Sequence, residues 1–206
     1  MPNQLPYQIL MVPFEVWIAP VGTAYPAPNI YGLAIPTPWT RFGTSGTEDM
    51  DDSGVEVAFT QKFGEFRGAG STGIRKVTRT TEDMLIRFKL ADVTLYQFRH
   101  ALNENPMQIT PASVGIPATE VVKLYQGVDV NNVALMIRGF SPRSGDANGF
   151  RQYQVPNCWQ SGQPKMNHTK GKAADIDFEF TALADPFSAT AADRFGKIVD
   201  YTSAAL

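Results

Sequence analysis

Four sets of residues have the types and spacings that chemistry could use. Gly68-Ala69-Gly70-Ser71-Thr72-Gly73 satisfies the GxGxxG pattern of dinucleotide-binding loops. That use requires the loop to open a helix whose N-terminus holds a pyrophosphate. Ile74 to Thr80 reads instead as a strand rich in β-branched residues, so the glycines predict a hairpin tip. Asp49-Met50-Asp51-Asp52-Ser53-Gly54 matches the first half of a calcium-binding EF-hand loop, but Thr60 stands where the bidentate Glu belongs. An acidic loop facing solvent or a partner is the better reading.

His100 and His168 are the only histidines and Cys158 the only cysteine, and HExxH, CxxC and GxSxG are absent. A zinc centre or a nucleophile–histidine pair is hard to assemble from that stock. His100 is expected as a partly buried helix residue, His168 in a polar turn within Pro164 to Gly171, and Cys158 as a small core side chain. Asp175, Asp177 and Glu179 recur at every second residue and share one face of a strand. Such carboxylates could mimic a glycosidase pair, but the sequence supplies no pocket to hold a sugar. The expectation is a protein without catalysis, cofactor or metal.

Charge is segregated. Glu48, Asp49, Asp51, Asp52 and Glu56 form an acidic stretch with no base. Between Lys62 and Arg99, eight bases (Lys62, Arg67, Arg75, Lys76, Arg79, Arg87, Lys89 and Arg99) face only Glu65, Glu82, Asp83 and Asp92. Two readings stand: two solvated loops of opposite sign, or an acidic loop of one copy meeting the basic hairpin of another. The second joins different patches, so it propagates unless a ring closes it.

The elements that must hold these residues are mostly strands. Phe14, Val16 and Ile18 alternate with Glu15, Trp17 and Ala19, the period of a half-buried strand that ends at Pro20 and Gly22. Tyr25 to Pro38 contains four prolines and reads as a surface connection before a short strand at Trp39 to Phe42. Val55, Val57, Phe59 and Phe63 point one way along the next strand; Met84, Ile86, Phe88 and Leu90 do so along its successor. Thr94 and Gln97 form a capping-box pattern, with Leu95, Phe98 and Leu102 as the apolar face of the one firm helix and Asn103 as its stop. Pro106 to Pro117 reads as loop, and Val121 to Tyr125, Val133 to Phe140 and Arg151 to Val155 as strands. Ile176, Phe178 and Phe180 alternate with Asp177 and Glu179 in the clearest late strand. A short helix is expected near Ala191 to Tyr201.

The predicted fold is mainly β (α+β): two packed antiparallel sheets, as sandwich or barrel, with one flanking α-helix. The chain has 206 residues, room for one ordinary domain with a sizeable core. Residues 1–13 are expected to be an N-terminal arm, 14–186 the β domain and 187–206 a C-terminal arm, the two arms ordering only against neighbours. A net charge of -2 implies no general affinity for nucleic acid or anionic membranes. Only 18% of residues are charged, against 17 Gly and 15 Pro, as suits a loop-rich β protein that gives surface to partners. No signal sequence, disulfide framework or membrane span is expected, so the chain is read as folding in a reducing cytoplasm.

The order of several segments resembles the major tail tube proteins of long, non-contractile-tailed bacteriophages. Phe14-Glu15-Val16-Trp17-Ile18-Ala19-Pro20-Val21-Gly22-Thr23-Ala24-Tyr25-Pro26 resembles the family's opening, followed by Trp39, Gly43-Thr44-Ser45-Gly46 and Gly54-Val55-Glu56-Val57. Glu65 to Lys76 and Arg79 to Asp83 are similar to its central hairpin, Leu90 to Leu95 to its helix entry, and Phe180 to Pro186 to its closing strand. The likeness covers most of 14–186, while 104–132 matches nothing familiar.

The resemblance implies hexameric rings stacked into a hollow tube, with one sheet of each copy joining a continuous 24-stranded β-barrel. About 24 strands spaced about 4.8 Å and tilted about 40° give a backbone diameter near 48 Å, leaving about 35 to 40 Å for duplex DNA of roughly 20 Å. The partners implied are the chain itself, a tape measure protein and transiting genomic DNA in the lumen, and tail terminator and baseplate or tip proteins at the ends, with no membrane. The location implied is the virion tail, after assembly in the host cytoplasm.

Glu48, Asp49, Asp51, Asp52, Arg67, Gly68, Gly70, Gly73, Arg75, Lys76 and Arg79 become candidates for ring stacking. Asp175, Asp177 and Glu179 become candidates for a lumen that repels phosphates, although an outer solvent face fits the alternation equally well. A type VI secretion tube protein or a tail terminator shares the architecture. A carbohydrate-binding β-sandwich would show a row of aromatics, whereas Trp17, Trp39 and Trp159 are scattered.

Overall fold

Alternating apolar residues give this chain strands, and one of those strands fixes its topology by changing partner midway. The computed structural model describes residues 13–26, 35–70, 72–141, 149–166, 168–171 and 173–201. The strands are β1 (Phe14–Pro20), β2 (Thr40–Arg41), β3 (Met50–Arg67), β4 (Ile74–Leu90), β5 (Met107–Thr110), β6 (Thr119–Val122), β7 (Asn132–Phe140), β8 (Phe150–Gln160), β9 (Ile176–Ala182) and β10 (Lys197–Tyr201). One α-helix, α1 (Leu95–Ala101), follows β4.

The architecture is mainly β, antiparallel throughout, but the two separate packed sheets expected from the sequence are one continuous sheet. Its strand order is β2-β1-β7-β8-β9-β4-β3, with β10 added on β8 and β5-β6 forming a small sheet of their own. The path does not return from β3 to β2, so the described residues form no closed barrel. Along one edge, β8 pairs with β10 through Phe150–Gln154 and then with β9 through Cys158–Gln160. A strand that serves two neighbours in turn lets the sheet fold over on itself.

Residues from both wings meet in one core. Val16 and Ile18 of β1, Leu135 and Ile137 of β7, Ile86 and Phe88 of β4, and Ile176, Phe178 and Phe180 of β9 belong to a single buried cluster. Phe42, fully buried, sits at its aromatic centre, with ring centroids 5.0 Å from Phe88, 5.0 Å from Phe178 and 6.1 Å from Phe180. Cys158 is buried as expected; its thiol donates to the Val133 carbonyl at 3.2 Å, and burial raises its pKa.

Several local expectations are corrected. The capping box does not form: the Thr94 side chain makes no cap bond, and the Thr94 N–H donates to Asp92 Oδ1 at 3.0 Å. Gln97 turns inward, where its amide donates to the Arg41 carbonyl at 3.5 Å, so the buried helix face is Gln97, His100 and Ala101. Leu95 stays exposed.

Met107–Thr110 is a strand, because pairing with Thr119–Val122 outweighs the flanking prolines. The helix expected near Ala191 to Tyr201 is a short 3-10 turn, Ala191–Asp193, followed by β10, held to β8 by a bidentate Arg151–Asp200 pair at 2.7 and 2.8 Å. That segment of the expected C-terminal arm therefore orders on its own chain. The N-terminal arm up to residue 12 lies outside the described residues, as do most of the proline-rich connection, Ser71 and residues 202–206.

Replacing Phe42 with Ala should destabilise the fold by about 3–5 kcal/mol in urea unfolding, the usual effect of emptying a fully buried aromatic site. A loss below about 1 kcal/mol would show that Phe42 does not join the wings.

Candidate assembly surface

The two longest strands exceed the sheet that holds them. β4 pairs with β9 only from Leu85 to Leu90, whereas its pairing with β3 continues outward to Arg67 and Ile74. Beyond Leu85 the hairpin is a two-stranded arm, about 30 Å long at strand rise. Two register shifts, at Lys62/Phe63 and Phe66/Arg67, interrupt it. Such bulges bend a ribbon and increase its twist.

The arm carries the apolar face of the core into water. Val55 and Val57 pack against the buried cluster; Phe59 and Phe63, next on the same face, are each more than half exposed. Val77, on the returning strand opposite Glu65, shares that face and is exposed to the same degree, as is Phe66 on the other face of the ribbon. At the root, Phe59 borders a cavity of about 270 Å³ with Phe195 and Ile198. Both backbone edges of the arm are open among the described residues: β3 ends the sheet, and β4 has no outer partner before Leu85. Long open edges of this kind promote strand pairing with another chain.

The expected stacking residues fall into two groups that the structure holds apart. Gly68 to Gly70 and Thr72 to Gly73, on either side of Ser71, lie between β3 and β4 as a hairpin tip that opens a strand and no helix, as the sequence predicts. Arg67 pairs with Glu65 at 3.0 Å and donates to the Thr72 carbonyl; Arg79 pairs with Glu82 at 3.0 Å. Arg75 and Lys76 make no ion pair among the described residues, so the tip remains basic.

The acidic stretch is only partly a loop. Glu48 and Asp49 lie in a 3-10 turn, where Asp49 accepts from the Ser45 N–H, while Asp51 and Asp52 already belong to β3. Hydrogen bonds from Ser53 hold the Asp51 carboxyl below its ordinary pKa. The acidic turn and the basic tip therefore sit at opposite ends of one 18-residue strand, roughly 55 Å apart.

On the face opposite the core, Asp177 and Glu179 do not form a bare carboxylate row. Arg87 lies 2.6 Å from Glu179 and 3.9 Å from Glu56, and Lys89 lies 3.4 Å from Asp177. Hydrogen bonding and attraction to Glu179 raise the Arg87 pKa, and the attraction of Asp177 raises that of Lys89, with Asp175 adding to it. Sequence reasoning named the carboxylates and missed this cross-strand ladder. The signal was available, since Arg87 and Lys89 have the same two-residue spacing as Asp177 and Glu179.

Other candidates separate from this surface. His100 is buried against Phe42 and Tyr96, with Nδ1 on Glu104 Oε1, whereas His168 is exposed. Among the described residues no group of three His, Cys, Asp or Glu could hold a metal ion, and no helix is long and apolar enough to cross a membrane.

Arg87→Gln should leave the urea midpoint unchanged within error, because half-exposed ion pairs are screened by water. A marked drop would make the ladder structural. Compared with protein families and with curated proteins, the chain matches none.

Proposed function

We propose that this chain is the structural subunit of a phage tail tube of the long, non-contractile kind. Six copies form a ring, rings stack, and the column conducts genomic DNA out of the virion. The observation that carries this reading is the arm with two open edges and an apolar face in water. β3 and β4 run antiparallel, so laying β4 of one copy beside β3 of the next, with all copies pointing the same way, continues an antiparallel sheet. A contact between two different edges closes into a ring when its rotation divides a full turn. The sequence likeness to tail tube proteins adds the hexamer and the shared barrel.

The ladder face suits a lumen. DNA must slide without sticking, and each phosphate–cation contact would add affinity. Arg87 and Lys89 are engaged by carboxylates, and Glu56, Asp175, Asp177 and Glu179 outnumber them. In this reading the basic tip of one ring meets the acidic turn of the next. The tape measure protein and then the genome occupy the lumen, and terminator and tip proteins close the ends. The protein is assembled in the host cytoplasm, resides in the virion tail and needs no cofactor.

Purified protein examined by negative-stain microscopy should form long hollow tubes. Deleting residues 68–73 should leave a folded monomer that no longer polymerises; long tubes from the deletant would remove the tip from the assembly. Asp177→Lys, which leaves Lys89 unpaired beside a second cation, should slow or block DNA ejection from assembled virions, and unchanged infectivity would take Asp177 out of the lumen.

A further inference from the structure

The segment between α1 and β7 has no role in the assembly described so far, yet it exposes apolar side chains on a backbone that is tied down. The helix ends in two consecutive left-handed residues, Asn103 and Glu104, at φ 57 and 58. Asn103 Nδ2 donates to the carbonyls of Gln126 at 2.9 Å and Asp129 at 2.8 Å, and its Oδ1 accepts from the Asn131 N–H at 2.7 Å. Asn105 Nδ2 donates to the carbonyls of Lys123 and Tyr125 at 2.6 and 3.1 Å. This asparagine clamp holds residues 123–131 while Leu124, Tyr125 and Val128 stand 73%, 81% and 91% exposed. Apolar groups on a fixed backbone lose little further freedom on docking.

We infer that this loop docks on the arm of a second copy of the chain, with Leu124, Tyr125 and Val128 covering Phe63 and Val77, which share one face of the arm. Two observations select that partner. Charge is complementary: residues 104–130 carry Glu104, Glu120 and Asp129 against Lys123 alone, whereas residues 61–79 carry five bases against Glu65 alone. Placement is complementary too. Gly162 borders one cavity with Ser53 and Gly54 and another with Asp129 and Val130. The clamped loop therefore shares an end of the molecule with the acidic start of β3, the end opposite the arm tip. An arm whose tip reaches the acidic turn of the next copy lays its shaft on this loop. The inference rests on the tube reading for the direction of stacking and adds a contact that reading does not contain.

The test uses the full-length chain. Leu124→Ser with Tyr125→Ser removes apolar surface without adding charge. The variant should keep the wild-type circular dichroism and unfolding midpoint while its assembly threshold in light scattering rises at least about tenfold, the shift expected when exposed anchors of an interface are truncated. In parallel, Val77→Cys and Leu124→Cys proteins, mixed and treated with a short bismaleimide, should give the mixed cross-linked dimer. Cys158 is buried and silent in that assay.

A wild-type threshold for the Ser variant overturns the inference, as does a mixture linked only Leu124→Cys to Leu124→Cys, or not at all. Tubes indifferent to the Ser variant leave the tube reading standing and sink this contact alone. Cross-linked oligomers that never become tubes keep the contact and sink the tube. Wild-type protein that stays monomeric at every concentration sinks both.

Discussion

A strand can be stabilised only where something pairs with it, and β3 and β4 outrun their support. Six residues of β4 lie against β9, and the rest of the hairpin has only itself. Isolated two-stranded ribbons are marginal in water. This one adds a Thr80 hydroxyl bond to the Lys62 carbonyl at a bulge and ion pairs at Arg67–Glu65 and Arg79–Glu82. Exposed pairs of that kind contribute little. The open edges and the phenylalanines thus form a surface in want of a partner.

The root of the arm is as firm as its shaft is bare. Phe88 and Phe178 are register partners with stacked rings 5.1 Å apart, and Phe42 caps both edge-on. β8 then carries the wing onto β7 through a ladder from Asn132 to Phe140 that is broken by one register shift, between Val133 and Leu135. The buried core is built without the outer part of the hairpin, from Phe59 to Asp83.

How much of this was legible depends on whether a signal was local. Alternation located β1, β4 and β9, because each has one face in the core and one out of it, whereas β7 is buried on both faces. The glycine cluster and the β-branched run after it were enough to read the tip as a hairpin. β10 was missed: Lys197-Ile198-Val199-Asp200-Tyr201 follows a run of small residues, and its partner on β8 lies about 45 positions earlier in the chain. The capping box failed for a similar reason, since the Arg41 carbonyl, distant in sequence, claims Gln97. The extent of β3 and β4 was legible only in part, since Asp51 to Gly54 read as loop and Ile74 to Thr80 and Met84 to Leu90 as separate strands, and nothing local told that β9 would stop short of them. Exposure of the arm is a property of the sheet as a whole, and no window of the sequence contains it.

Charge follows the same geometry. On one long strand, acids at one end and bases at the other cannot neutralise each other: the separation is several Debye lengths at physiological salt. They can be satisfied only by solvent ions or by another molecule offering the reverse polarity. A second copy shifted along the strand axis offers it at both ends at once, and a third copy does the same for the second. By contrast, the ladder of Arg87 and Lys89 with Asp177 and Glu179 is settled within the chain, across neighbouring strands a few ångströms apart. The molecule therefore separates its charges into a set it neutralises internally, on the sheet face, and a set it leaves open, at the two ends of its longest element. Only the open set has the direction needed to order copies in a line.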